Sequence, residues 1–156
     1  MSARAAEGAP DGSGVPRLGR PRLLTAELTR GRGARVQVRV ALELRDREHE
    51  EERHGVGDNT MILRLAAQAT LAALHAVIGG PARFELVGVK RVHAFDEDVI
   101  LTGVRLLDDP SRRLLGCVPV GRHGLAEGTA RSLLNATNRI VEWLPLKGKG
   151  KRKSSR

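Results

Sequence analysis

Two glycine-rich steps carry the spacing in this chain that suits ligand chemistry. Gly55-Val56-Gly57-Asp58-Asn59 and Gly121-Arg122-His123-Gly124 each stand before an alanine-rich helical pattern. A helix start presents unpaired backbone N–H groups and the positive end of the helix dipole, a setting for a carboxylate or a phosphate. Gly55, Gly57, Asp58 and Asn59 in the first step and Gly121, Arg122 and Gly124 in the second are therefore the candidate ligand-binding residues. Arg122 adds a guanidinium that can hold a carboxylate. The same residues also have a purely structural reading, in which the glycines turn the chain and Asp58 occupies the amides itself.

Other chemistries find less support. His49, His54, His75, His93 and His123 lack metal-ligand spacing, and no cysteine pair or Glu-x-x-His accompanies them, so no metal site is expected. Cys117 is the single cysteine, which excludes a disulfide framework, and its strand-like setting predicts a small buried hydrophobe. Asp96-Glu97-Asp98 and Asp108-Asp109 lie in turn-like sequence with no base or nucleophile beside them. No catalytic constellation is found, and neither an enzyme nor a cofactor is expected.

The elements that must position the two steps read as one phrase stated twice. The first copy spans Arg22 to Ile78 and the second Phe84 to Leu144, each with three strand-like runs and then a helix. Strands are predicted over Leu23–Thr29 and along the alternation Val36, Val38, Val40, Leu42 and Leu44. The charged stretch Asp46–Arg53 reads as a hairpin tip or as a third, exposed strand. The second copy predicts strands over Phe84–Val92, Val99–Leu107 and Leu114–Val120, with Pro119 marking an edge or a strand end. Helices are predicted near Thr60–Ile78 and Leu125–Trp143. The first is apolar around most of its circumference and needs a second cover, from the other helix or from a partner chain. The second is amphipathic, with Arg131, Asn135, Asn138 and Glu142 on its polar face. A unit of this size cannot bury its apolar face alone, so the copies must pack together.

Composition sets the remaining bounds. The chain has 156 residues, 40% hydrophobic, with two Phe, one Trp and no Tyr, so its core is aliphatic. The shortage of rings counts against single-strand nucleic-acid reading by stacking. The net charge of +9 is unevenly placed: outside residues 1–20 and 145–156 there remain 18 basic and 16 acidic residues. Residues 1–20 are expected to be a disordered segment, 21–144 one domain and 145–156 a basic disordered tail. Lys147, Lys149, Lys151, Arg152 and Lys153 in that tail suit a weak, salt-dependent polyanion contact, or simply solubility. No transmembrane run or hydrophobic signal core is recognised, and a cytoplasmic location is expected.

The pattern resembles the C-terminal regulatory (allosteric, dimerisation) domain of 2-isopropylmalate synthase and citramalate synthase. The residues that carry the likeness are the valine-rich strand Ala34–Val40, the charged Glu50–Arg53, the step Gly55–Asp58 and the helix closing on Leu71-Ala72-Ala73-Leu74. In the second copy they are Arg112–Gly116 and Ala130 to Ala136-Thr137-Asn138-Arg139-Ile140. The likeness covers residues 22–144, without any catalytic barrel. Asp58-Asn59-Thr60-Met61 and Gly121–Leu125 depart from the family's usual helix openings. The resemblance implies an α+β fold of two βββα units with pseudo-twofold symmetry, antiparallel sheets packed with two helices. It also implies a homodimer, with an amino-acid-like effector between the helix-opening loops. The alternatives are a nucleic-acid-associated protein using the basic tail and a ligand-free interaction module.

Overall fold

A computed structural model describes residues 14–146. Its elements are β1 (Arg22–Arg30), β2 (Arg35–Leu44), β3 (Arg47–Val56), α1 (Asn59–Ile78), β4 (Phe84–Ala94), β5 (Glu97–Leu106), β6 (Arg113–Pro119) and α2 (Gly124–Glu142). Each strand triplet forms an antiparallel sheet, β1-β2-β3 and β4-β5-β6, with the second strand in the middle. The fold is α+β, two βββα units in succession. The charged stretch left open between tip and strand is a strand, because β3 pairs with β2 from Leu44↔Arg47 to Arg35↔Val56. Pro119 ends β6, an edge strand, where its missing N–H costs no ladder bond.

Alternation builds the core. Val36, Val38, Val40, Leu42 and Leu44 of β2 are buried and face α1. Each such side chain removed from water contributes about 1.5–3 kcal/mol. The Asp58 side chain accepts the Thr60 N–H at 3.0 Å and opens α1. Gly79, with φ 76°, closes it in a conformation that glycine adopts without strain. The second cover over α1 comes from within the chain. Besides β2 and β3, α1 meets α2 and β4, and α2 reciprocally meets β5, β6, α1 and β1. The helices thus share the space between the sheets.

Three expectations change. The polar face of α2 is narrower than its sequence implied: ten of its residues are buried, as many as in α1, because Gly128, Ser132 and Ala136 join the apolar set. A Cβ at Gly116 would lie 1.9 Å from the Ser132 carbonyl oxygen, so β6 and α2 meet backbone to backbone. The Ser132 hydroxyl lies 3.0 Å from the carbonyl oxygens of both Ile100 and Gly116 and ties the seam. Next, α1 has the length and hydropathy of a membrane span, contrary to the reading that no run approaches one, yet its apolar residues are taken up by the core. Finally, the boundaries at 20 and 145 move outward. Leu18 N–H donates to Leu144 O at 2.9 Å and Leu146 N–H to Pro16 O at 2.8 Å, so these segments pair as an antiparallel bridge instead of extending free.

Candidate functional site

The first glycine step is packed closely against its own helix. A Cβ on Gly57, where φ is 155°, would meet Met61 Cβ at 2.9 Å, and one on Gly55 would meet Met61 Sδ and Leu65 Cδ1 at 3.1 Å. Asp58 spends its carboxylate on the Thr60 amide, and Asn59 is exposed as the first helical residue. The second step is more open. Gly121 and Gly124 have φ of 44° and 77° and face no side chain. His123 caps α2 through no side-chain bond and instead pairs with Glu127, while Arg122 is exposed. A cavity of about 460 Å³ includes Gly55 together with Thr29, Arg35 and His54, and no residue of the second step. A larger one of about 710 Å³ includes neither step. The steps therefore do not line a common cavity there. Lys147, Lys149, Lys151, Arg152 and Lys153 lie outside the described residues.

Charged side chains concentrate on the first sheet. Residues directly opposite in a ladder share a face, so Glu27, Arg39 and Glu52 stand in one outward row, and Arg22, Glu43 and Glu48 in another. Arg39 reaches Glu50 at 3.3 Å and Glu52 at 3.2 Å. Partial burial raises the Glu52 carboxyl, but Arg39 and His54 outweigh it and hold Glu52 below its ordinary 4.5. On the other face of β3, Glu51 accepts from His49 at 2.7 Å and Arg53 at 2.8 Å. The His49 bond, aided by Arg53, lowers the Glu51 carboxyl. Among the described residues no three His, Cys, Asp or Glu side chains converge as a metal site.

The outer face of the second sheet has the opposite character. Its cross-strand rows are Val92-Val99-Pro119, Lys90-Leu101-Cys117 and Gly88-Gly103-Leu115, bounded at one end by the charged row Glu85-Arg105-Arg113. Leu115 is 67% exposed and Val87 40%, flanking Gly103 at 3.6 and 3.5 Å from where its Cβ would be. Phe95, at the β4–β5 turn with φ 52°, is 98% exposed. Cys117 was expected in the core and is exposed on this face, because β6 turns Gly116, not Cys117, toward α2. The sequence reading missed Val87, Phe95 and Leu115. Its available signal was a pair of glycines inside strands, Gly88 and Gly103, which opens the surface between the strands.

His75 joins the two units. Its Nε2 accepts the N–H groups of Arg83 and Phe84 at 3.3 and 3.2 Å, and its ring stacks on Phe84 with centroids 6.0 Å apart. Burial lowers its pKa below the ordinary 6.5, in keeping with a nitrogen that must accept.

No protein-family model matches the sequence, and no curated protein does either.

Proposed function

We propose that the chain is a non-catalytic regulatory domain that acts through self-association, and that the outer face of the second sheet joins two copies. The observation that carries this reading is the apolar surface formed by Val87, Val92, Val99, Leu101 and Leu115 on a sheet whose other face packs against α2 through β5 and β6 and against α1 through β4. Contiguous apolar surface at the centre of a patch, with charges at its edge, is the composition of an association face. The face also suits a second copy of itself. Leu115 and Val87 project beside the low ground of Gly88 and Gly103, so a twofold axis can set the projections of each copy into the depression of the other. Glu85, Arg105 and Arg113 at one end and Lys90 on the β4 edge supply charges of both signs that can pair across the same axis. The resemblance to a dimerising regulatory domain supports the same reading.

Light scattering on the full chain tests it. A dimer mass at micromolar concentration, reverting to a monomer mass in Leu115→Glu with the helical circular dichroism retained, is expected. A wild-type monomer at that concentration would sink the proposal.

A further inference from the structure

The larger cavity is lined by arginines that reach no carboxylate among the described residues. It opens between the end of α1, the β2–β3 turn and the Leu144–Leu146 segment, with Leu18, Leu44, Val77 and Ile78 supplying apolar walls. Arg45, Arg47 and Arg83 line it, with Asp46 as the single acid among its lining residues. Arg45 donates to the Leu18 carbonyl at 3.2 Å and also to that of Arg17. The guanidinium groups of Arg47 and Arg83 meet no acceptor among the described residues, and Arg83 Nε is closed off from solvent as well. Arg39, Arg53, Arg91 and Arg105 on the sheets, by contrast, reach carboxylates. Guanidinium N–H groups of Arg47 and Arg83 without acceptors beside a cavity favour an anion that can accept from them. The carbonyl end of α1 disfavours an anion nearby, but the Arg47 guanidinium lies against Gly79, 2.6 Å from where a Cβ would be, and covers that end.

We propose that this cavity binds a small aliphatic carboxylate, its anionic head between Arg47 and Arg83 and its hydrocarbon body against the leucine and valine walls. Guanidinium groups hold carboxylates through paired, charge-assisted bonds, and the walls reward an apolar body over inorganic phosphate. An ammonium group on the ligand is disfavoured by three arginines against one acid, so the site discriminates against zwitterionic amino acids. The cavity is lined by none of the residues of the second sheet's outer face, so this proposal and the association proposal fail separately.

Calorimetric titration of the full chain with hexanoate, hexanamide, leucine and inorganic phosphate tests the site. Trp143 gives a fluorescence readout beside Leu144 at the rim. Hexanoate is expected to bind saturably, with hexanamide, leucine and phosphate each at least about tenfold weaker. Arg47→Gln and Arg83→Gln should each weaken hexanoate about tenfold while the melting temperature holds. Absence of saturable hexanoate binding, or equal binding of hexanamide, leucine or phosphate, overturns the proposal. So does undiminished binding in a folded Arg83→Gln. Should that variant not fold, the hexanoate-to-hexanamide ratio on the unaltered chain decides alone.

Discussion

The two βββα units share a strand order and divide their surfaces in opposite ways. In the first, α1 lies on β2 and β3 through leucine and alanine side chains, and the outer sheet face is charged. In the second, β6 and α2 close to backbone contact at Gly116 and Ser132, and the outer face is apolar. One topology therefore supports two assignments. The unit with the charged back presents ion pairs to water, and the unit with the apolar back presents the surface proposed for association. The difference lies in the residues that point away from the core, which the packing of the fold leaves unconstrained.

The sharpest way to break this comparison is to place the same methyl group at both seams. Gly116→Ala should cost about 3 kcal/mol or more, because its Cβ would stand 1.9 Å from the Ser132 carbonyl oxygen and backbone must move. Gly55→Ala meets only Met61 and Leu65, whose side chains can shift, and should cost about 1 kcal/mol. Urea denaturation of both variants measures the gap. Equal losses would show that the two seams are packed alike.

A second contrast compares the outer faces. A charge placed at Leu115 on the second sheet should weaken self-association at least about tenfold, since hot spots sit in the desolvated centre of an interface. The equivalent insult on the first sheet, Gln37→Glu, should leave the mass unchanged, because that face already carries Arg39, Glu50 and Glu52 in ion pairs. Sedimentation of the two variants beside the parent chain reads the difference. A loss of association in Gln37→Glu and not in Leu115→Glu would move the interface to the first sheet.

The sequence made the strand and helix order legible because period-two and helical patterns are strong in Val36–Leu44 and Thr60–Ile78. It did not reveal which side of β6 faces inward. Leu114, Leu115, Cys117 and Val118 are all apolar, and the inward set is Leu114, Gly116 and Val118, centred on the glycine that the small residues of α2 require. The glycine steps were found by spacing alone, and spacing does not distinguish a turn packed on Met61 from one open to a ligand. The arginine cavity joins residues from 18 to 146, a separation that no local pattern can express.

The junction between the units should be sensitive to protonation. His75 Nε2 accepts from the start of β4, so a proton on it sets three donors against one another. Its folded pKa lies below 6.5, and between the two values the unfolded chain binds more protons. Stability from this residue is therefore complete above pH 6.5 and declines as pH falls through the folded value. Thermal melts at pH 7.5 and pH 5 should show a drop that is smaller in His75→Gln, whose amide oxygen can accept the same bonds without titrating. An identical drop in both proteins would show that His75 does not hold the units together.

The smallest effect separates the two faces of β3. Glu51→Gln breaks the His49 and Arg53 contacts, and partly exposed pairs of this kind are worth about 0.2–1 kcal/mol. Because the Glu51 carboxyl is lowered in the fold, its contribution is present above pH 4.5 and is lost as pH falls through the folded value. The parent and Glu51→Gln should therefore differ in stability at pH 7 and converge at pH 3. Charges turned inward on an edge strand resist edge-to-edge association, so Glu51 should help keep β3 a poor pairing partner. Glu51→Val should consequently hold or raise the melting temperature while promoting concentration-dependent turbidity. A Glu51→Val protein that stays clear and dimeric at high concentration would place the protection of that edge elsewhere, in the outward Glu50 and Glu52.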